Sequence, residues 1–330
     1  MNGTLTDVFG IEVGHYTDLK NGTGCTAVLA RLGATAGVDV RGSAPGTRET
    51  DILKSESSVD LIHGISLSGG SAFGLEAATG VVAFLEDNGF GHKVGDYVIP
   101  IVPSAIIFDL GLGKSKIRPG IFEGRLAAEN ATSSAVECGT VGAGTGATVG
   151  KALGRSFAMK GGLGSSSLDL GNGAVLSALA VVNAVGGIVN PASGSLMAGP
   201  LSKDNEIMNS ISIYTDPNFG VDKNYQKGQE FLQNTTLGVI ATNVALTKPQ
   251  ANRLATVGHD GLAMSIRPCH TLHDGDTIFS LSTREIEATD EVVRLYALAP
   301  FVMANAVLSA IQTAKGLHGF KSMSEVLIEK

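Results

Sequence analysis

A polar lead-in that runs directly into an alternating apolar segment constrains this chain more than any other feature of its sequence. The stretch is Asn234-Thr235-Thr236-Leu-Gly-Val-Ile-Ala-Thr-Asn243, which has the alternation of a β-strand. A hydroxyl held against the preceding carbonyl can attack it and move the acyl group from nitrogen to oxygen, after which water opens the ester. We therefore predict that the chain cuts itself between Asn234 and Thr235, into residues 1–234 and 235–330.

The predicted cut would combine nucleophile and base in one residue. A terminal α-amino group has an ordinary pKa of about 7.7 to 8.0, so it can act as general base for the Thr235 hydroxyl. Taken alone, the tripeptide is also compatible with two ordinary roles. Asn-Thr-Thr fits the acceptor pattern for N-glycosylation, and Thr is a common strand residue.

Composition limits the class of protein and its partners. With 330 residues, 43% of them hydrophobic and 17% charged, the chain can bury a large core in one or two domains. The 44 glycines favour tight backbone packing or burial in an oligomer. A net charge of -7 and the lack of a dense Lys/Arg run argue against a nucleic-acid partner.

Cysteine spacing and the N-terminus indicate the compartment. Cys25, Cys138 and Cys269 lie far apart without a Cys-x-x-Cys motif, so reduced thiols are expected. The first residues lack the basic and apolar regions of a signal peptide, which favours a cytoplasmic enzyme. The longest apolar tract, Ala174 to Val189, is too short and too polar for a membrane span.

Strands and helices are predicted on both sides of Asn234. The predicted strands include Cys25–Leu32, Gly37–Arg41, Leu61–Leu67, Ala174–Val182, Leu237–Thr242 and Thr277–Ser282. Helices are predicted after Thr247, with Pro249 in the first turn, and from Val292 to Ala314. This order favours an α/β (α+β) fold, a four-layer αββα sandwich of two β-sheets flanked by helices.

Of two glycine-rich stretches predicted as turns, one is a candidate for a binding role. Gly69 and Gly70 precede a predicted helix capped by Ser71, where the amides could hold an anion or an oxyanion, although close helix packing accounts for the glycines equally well. A second small-residue stretch, Gly161 to Ser167, is predicted to be a turn between strands.

The glycine-dense stretch from Thr140 to Lys151 nearly matches two nucleotide-binding motifs. A Walker A motif would need glycine at position 145 and Ser or Thr at position 152, where the chain has Thr145 and Ala152. A dinucleotide fingerprint from Gly142 would need a strand before it and a helix after it, and the predicted order is the reverse. No cofactor is therefore expected.

Two other kinds of site fit the sequence less well. A Ser-His-Asp hydrolase of the nucleophile-elbow type would need Gly-x-Ser-x-Gly, which the chain lacks. A metal module could use His270-x-x-His273-Asp274-x-Asp276, but this spacing falls on a predicted loop with no second cluster, so no metal is expected.

Six sequence blocks carry a family resemblance, and they occur in the family's order. They are Gly10–His15, Leu67–Glu76, Gly142–Lys151, Val182-Asn183, Asn234–Thr236 and His270–Thr277. With these blocks the chain resembles the L-aminopeptidase/D-esterase family, which includes β-peptidyl aminopeptidases and nylon-oligomer hydrolases. The resemblance extends over nearly the whole chain, from about Ile11 to Ala314.

The resemblance implies a self-processing N-terminal-nucleophile hydrolase that acts on short peptides, amides or esters. It further implies a homo-oligomer, a tetramer of processed pairs, that needs no cofactor. An acyltransferase of the ornithine acetyltransferase type would use the same nucleophile, with an amine in place of water.

By the same resemblance, the nucleophile is Thr235 and the amide that donates to the oxyanion is Asn183. Lys151 would lower the proton affinity of the amine or hold the oxyanion. Asp276, with Asp274, would accept a hydrogen bond from the Thr235 amine or hydroxyl and orient it. Without the resemblance, an Asx-turn accounts for the two aspartates and a strand-end hydrogen bond for Asn183.

The chain differs from its relatives at two positions that are expected to lie near the substrate. Several relatives place Tyr where this chain has Phe108, and relatives that bind a substrate ammonium group carry Glu where it has Ile106. Phe108, Gly69 and Gly70 are nevertheless expected to contact substrate. The missing acid favours an apolar amide or an unusual amine as much as an aminopeptidase substrate.

Overall fold

The computed structural model describes residues 3–219, 234–287 and 291–328. Its strands are β1 (Glu12–Asp18), β2 (Thr23–Val40), β3 (Thr47–Arg48), β4 (Leu61–Ser68), β5 (His92–Val94), β6 (Tyr97–Ile99), β7 (Ser104–Ile106), β8 (Thr148–Val149), β9 (Met159–Lys160), β10 (Gly162–Gly171), β11 (Ala174–Asn183), β12 (Gly187–Val189), β13 (Leu196–Ala198), β14 (Thr235–Val244), β15 (Ile266–Arg267) and β16 (Thr277–Ile286). The helices are α1 (Ala77–Asp87), α2 (Ile121–Glu129), α3 (Ser210–Tyr214), α4 (Lys248–Ser265), α5 (Glu291–Thr313) and α6 (Met323–Ile328).

One large mixed sheet organises the described residues. Its nine strands follow the order β10-β11-β14-β16-β2-β4-β7-β3, and β1 pairs with β2. Strand β14 is central: it pairs with β11 antiparallel and with β16 parallel. At the predicted cut, Asn183 of β11 lies opposite Thr235, and Asp274, which precedes β16, forms a β-bridge with Asn234.

Strand β2 joins the two halves of the sheet, where two separate strands had been predicted. Its C-terminal part, from Thr35 to Val40, pairs with β16, and its N-terminal part pairs with β4 and β1. The register against β4 shifts between Leu29 and Ala34, and Gly33 adopts a positive φ of 86°. The predicted break is thus a bend within one strand, which glycine permits.

The sheet folds back on itself through β2 into two β layers. The inner core between these layers combines residues of both halves, among them Val28, Leu67, Leu179, Leu237 and Phe279. Helices α4 and α5 cover the outer face of one layer, and α1 and α2 cover the other. The predicted αββα sandwich is therefore confirmed, with its two β layers hydrogen-bonded as a single sheet.

The two long helices begin and pack as their sequences predict. Thr247 caps α4, its hydroxyl accepting from Gln250 N while the Gln250 side chain accepts from Thr247 N, and Pro249 lies in the first turn. Helix α5 is long and apolar enough, with a mean hydropathy of 1.6, to span a membrane by composition alone. In the fold, residues such as Leu295, Val302 and Ile311 on this helix are buried in the core beside the sheet.

Two predictions at glycine-rich stretches were wrong. Residues Gly161 to Ser167, predicted as a turn, mostly belong to β10, because glycine there lets the backbone of α5 approach: a Cβ on Gly164 would overlap Ala310 N. Ser71 does not cap a helix with its side chain. It opens a 3-10 turn with φ of 55°, and α1 follows only at Ala77.

Candidate active site

Thr235 lies at the buried start of β14, facing the inner core. It is 4% exposed, and its cross-strand partner on β11 is Asn183. Residues directly opposite in an antiparallel pair share a face, so the predicted nucleophile and the predicted oxyanion donor lie on the same side of the sheet. Thr236 therefore faces the layer of α4 and α5.

Two hydrogen-bond donors converge on the carbonyl oxygen of the peptide bond before Thr235. Thr235 Oγ1 donates to the Asn234 carbonyl oxygen at 2.5 Å. The same oxygen accepts from Gly275 N at 2.8 Å. Asn234 N in turn donates to His273 O at 3.0 Å, which anchors the residue before the bond. A hydroxyl and an oxyanion-type donor thus meet at one carbonyl in the uncut chain.

Asp276 contacts the residue next to the one predicted. Its Oδ1 accepts from Thr236 N at 2.6 Å, and the hydrogen bonds of its carboxylate in the uncut chain do not reach Thr235. The alternation of the strand explains this. Successive backbone amides of a strand point to opposite edges, so Thr236 N faces β16 and Asp276, whereas Thr235 N faces β11. The Asp276 side chain therefore holds the start of β14 through the backbone N–H of Thr236.

Asp274 lies beside Asp276, at 2% exposure, and shapes the turn. Its Oδ2 accepts from Thr271 N at 2.7 Å. Burial and the neighbouring Asp276 charge raise the pKa of Asp274, and the hydrogen bonds from Thr271 and the charge of Lys151 oppose the shift. This residue therefore both forms the predicted turn and lies at the site.

His270, which the sequence presented only as a possible metal ligand, pairs with Asp276. Its Nδ1 lies 2.8 Å and its backbone N 3.0 Å from Asp276 Oδ2. Burial lowers the pKa of His270, but hydrogen bonds and charge from Asp276 and Cys269 outweigh it and raise the pKa to about 10. Within the described ranges, no group of three or more His, Cys, Asp or Glu side chains is arranged to hold a metal ion.

Asn183 and Lys151 form a buried pair near Thr235. Asn183 Oδ1 accepts from Lys151 Nζ at 2.8 Å and from Thr148 N at 3.0 Å. These two donors fix the amide so that its Nδ2 points to Phe108 O, 3.3 Å away. Burial lowers the pKa of Lys151 well below its usual value, and the Arg155 charge adds to the effect.

Lys160 is a buried residue that no sequence motif indicated. It is fully buried, and its Nζ donates to the carbonyls of Gly144, Ala147 and Gly161 at 2.7 to 3.0 Å. Burial lowers its pKa to about 7, against the charge of Asp109. The glycine-rich turn thus presents carbonyls to an internal ammonium group, whereas a phosphate cradle presents amides.

The turn at Gly69 and Gly70 holds a carboxylate of the chain itself. Gly70 N donates to Asp109 Oδ1 at 2.7 Å, and Gly69 N donates to Gly24 O. Burial raises the pKa of Asp109 to about 6, opposed by its bonds from Gly70 and Thr23. Neither amide is left for a substrate oxyanion in this arrangement.

A cavity of about 300 Å³ opens beside the predicted cut. Its described lining consists of Val185, Tyr214, Phe219, Asn234, Pro268, Thr271, Leu272 and His273. Most of these walls are apolar or aromatic, and Asn234 itself forms one of them. Residues 220–233, which precede Asn234 in the chain, lie outside the described residues.

Comparison with known proteins places these features in a family. The model of peptidase family S58 matches residues 3–324. An uncharacterized aminopeptidase of Mycobacterium leprae is 37% identical over 345 residues, covering 96% of this chain and 92% of the relative. A 6-aminohexanoate-oligomer endohydrolase of Paenarthrobacter ureafaciens is 30% identical over 320 residues, covering 92% of this chain and 84% of the relative.

A solved structure confirms the fold. The L-aminopeptidase D-Ala-esterase/amidase of Ochrobactrum anthropi, described as a variant of the Ntn hydrolase fold, superposes with a TM-score of 0.70 at 19% identity. The match covers 94% of this chain and 86% of that one. The family match and the two relatives confirm the predicted resemblance to this family.

Proposed function

This chain belongs to peptidase family S58 and is a hydrolase of peptide or amide bonds, and we propose that it activates itself by cutting between Asn234 and Thr235. Thr235 then serves as the N-terminal nucleophile. The observation that carries the proposal is the Thr235 hydroxyl, which donates to the Asn234 carbonyl at 2.5 Å while Gly275 N donates to the same oxygen.

The proposed maturation is an acyl shift followed by hydrolysis. Thr235 Oγ bonds to the Asn234 carbonyl carbon, and Gly275 N–H stabilises the negative oxygen of the tetrahedral intermediate. The C–N bond then breaks as the nitrogen takes up the proton that the hydroxyl has lost, which leaves an ester and a free amine. Water cleaves that ester and gives a carboxylate on Asn234 and a free amine on Thr235.

Turnover reuses the same hydroxyl. The free amine of Thr235 takes the hydroxyl proton, and the oxygen attacks the substrate carbonyl carbon. The substrate C–N bond breaks and the amine departs with that proton, which leaves an acyl-enzyme ester that water then hydrolyses. Asn183 Nδ2 is the side-chain donor proposed for the substrate oxyanion, since Lys151 and Thr148 N hold its Oδ1 from the other side. Asp276 is proposed to orient the nucleophile through its bond to Thr236 N, and Asp274 through the turn that it shapes before β16.

Short amides or peptides with an uncharged apolar acyl group are the substrates that we propose. The cavity next to Asn234 has mainly apolar walls, and Ile106, at the position where relatives carry an acid, is buried against Gly46. No carboxylate is thereby offered to a substrate ammonium group at that position. The relative that hydrolyses 6-aminohexanoate oligomers supports an amide substrate.

Processed pairs are proposed to act in the cytoplasm and to assemble into a tetramer. Support for assembly comes from exposed apolar side chains near α1 and α2, namely Phe73, Ile117, Ile121 and Phe122. Side chains of this kind on one surface are typical of protein interfaces.

Intact-mass spectrometry of the purified protein tests the self-cleavage. The parent is expected to give two fragments, 1–234 and 235–330, and Thr235→Ala one inactive chain. Thr235→Ser keeps the hydroxyl and is expected to cut at a changed rate, since its rotamers are less restricted. Thr236→Ala is the matched control, because its side chain faces the opposite side of the sheet, and it is expected to cut and to hydrolyse amides.

A single full-length parent mass after prolonged incubation at neutral pH would refute the proposal. Normal maturation of Thr235→Ala together with an uncut Thr236→Ala would instead identify Thr236 as the nucleophile.

A further inference from the structure

The loop before β16 holds a charge pair that includes a residue outside the predicted catalytic group. His270 Nδ1 and the His270 backbone N–H both bind Asp276 Oδ2, at 2.8 and 3.0 Å. The other carboxylate oxygen of Asp276 accepts from Thr236 N at 2.6 Å. Asp276 is 2% exposed and the His270 side chain 21%, so the pair is largely withdrawn from solvent.

The two carboxylate oxygens of Asp276 therefore bind different residues. Oδ2 is fixed by two donors of a single residue, which sets the rotation of the carboxylate. Oδ1 is then directed at the amide that directly follows Thr235 in the chain. A chain of contacts runs from His270 through Asp276 to the backbone that carries the nucleophile.

We infer that His270 is a positioning residue for the proposed reaction: its imidazole and its backbone N–H hold the Asp276 carboxylate rotated toward Thr236 N, and so fix the hydroxyl of Thr235 against the bond to be cut. The inference rests on the proposed function. It adds a residue outside the group formed by nucleophile, amide, lysine and aspartates, and it assigns the cation that this buried carboxylate requires.

Groups on its own loop favour a charged imidazole at His270, whose buried Nε2 has no hydrogen-bond partner among the described residues. Asp276 and Cys269 face it from its own loop, and Asp274 lies next to Asp276. From α4, His259 packs edge-on against its ring at 4.9 Å, with His259 Nε2 bound to Asp39 O. Burial lowers the pKa of His259 to about 4, so the second imidazole is neutral near pH 7 and does not compete for the charge.

The linkage between pH and stability follows from the raised pKa of His270. A folded-state pKa of about 10, above the ordinary 6.5, means that the pair contributes stability fully below about pH 6.5. That contribution is lost as the pH rises through the folded pKa. The alkaline side of the stability profile therefore reports on the pair directly.

The backbone offers a substitution that separates charge from hydrogen bonding. His270 has a φ of 55°, which Asn tolerates better than most residues, and an Asn amide nitrogen can take the place of Nδ1 as a donor. His270→Asn thus removes the charge and keeps a donor, whereas His270→Ala removes both. His318, exposed and also at positive φ (50°), provides the matched control His318→Asn.

The test follows cleavage of the full chain, made by cell-free translation, across a series of pH values, together with thermal unfolding of each Thr235→Ala double variant. We expect the parent to lose cleavage as the pH rises through the His270 pKa of about 10, and His270→Asn to cut more slowly than the parent near neutral pH without that alkaline loss, because its side chain has no charge to lose. His270→Ala is expected to cut at least about tenfold more slowly than the parent near neutral pH. His318→Asn is expected to match the parent.

A purely structural role would give a different result. In that case His270→Asn lowers the unfolding temperature by the same amount at all pH values, and its cleavage profile coincides with the parent's, which overturns the inference. The parent still cuts in that outcome, so the proposed function survives. An uncut parent refutes the proposed function first and is recognised without any His270 variant.

Discussion

Gly275 shows how closely the atoms at the predicted cut are packed. Its N–H donates to the Asn234 carbonyl, and a Cβ on this residue would lie 2.7 Å from Thr235 Oγ1 and 2.7 Å from Ala44 O. Only a residue without a side chain leaves room for the hydroxyl in that place. The functional cost of adding a methyl group is therefore expected to exceed its cost to folding.

We predict that Gly275→Ala folds but cuts at least about tenfold more slowly, because displacing a reacting group by a fraction of an ångström to an ångström costs one to two orders of magnitude in rate. The fraction of cut chain against time, followed by denaturing electrophoresis, measures this. Gly64→Ala is the control, since its Cβ would meet Val28 O at 3.1 Å in β4, outside the candidate site. Equal cleavage rates for the two variants would show that Gly275 does not limit the reaction.

The structure brings several of the predicted site residues close together, with contacts that the sequence did not predict. Thr235 lies opposite Asn183 across two strands, and Lys151 binds Asn183. The partner of Asp276 could not be foreseen, because it depends on the positive φ of His270 and on a carboxylate rotation that no spacing encodes. Lys160 gave no signal either, since the three carbonyls that surround it come together only in the folded turn.

At the scale of elements, strands rich in branched residues were predicted well and glycine-rich ones were not. β11 and β14 lie where their apolar alternation predicts them, within one to two residues. β10 was predicted to be a turn because small residues usually mark loops, whereas here Gly164 provides close contact with α5. Local pattern cannot distinguish a glycine that bends the chain from one that admits a neighbouring helix.

The contact between β10 and α5 leads to a prediction about stability. Gly164→Ala would place a Cβ in overlap with Ala310 N and Ala306 O, both backbone atoms that cannot rotate away. We expect a loss of about 1–3 kcal/mol, as for overpacked cores. Urea unfolding in the Thr235→Ala background measures it without interference from cleavage.

Gly171→Ala, at the end of the same strand, is the comparison for that measurement. Nothing lies within 4 Å of its added Cβ, but its φ is 80°, so only backbone strain of about 1 kcal/mol is expected. A Gly164 variant as stable as the parent would mean that α5 adjusts its position freely on the sheet.

At the scale of the whole molecule, the proposed cut separates two chains that the sheet keeps interleaved. The sheet order runs β11-β14-β16-β2, so the two strands that the C-terminal fragment contributes to this sheet lie between strands of the N-terminal one. β14 is bonded to β11 over eight residue pairs from Asn183↔Thr235 to Leu176↔Thr242, and β16 to β2 over six. Every one of the β14 residues from Thr235 to Val244 is buried.

We therefore predict that the processed fragments stay together in native buffer and unfold as one unit. Releasing residues 235–330 would break the backbone ladders on both sides of the β14–β16 pair and expose both the inner core and the core beneath α4 and α5, which is unfolding of the molecule and not dissociation of a subunit. Size-exclusion chromatography of the cut protein should give one peak that contains both fragments, and calorimetry one transition. A C-terminal fragment that elutes alone and folded would show that β14 and β16 form an independent unit, and the chain would then be two domains joined at the cut.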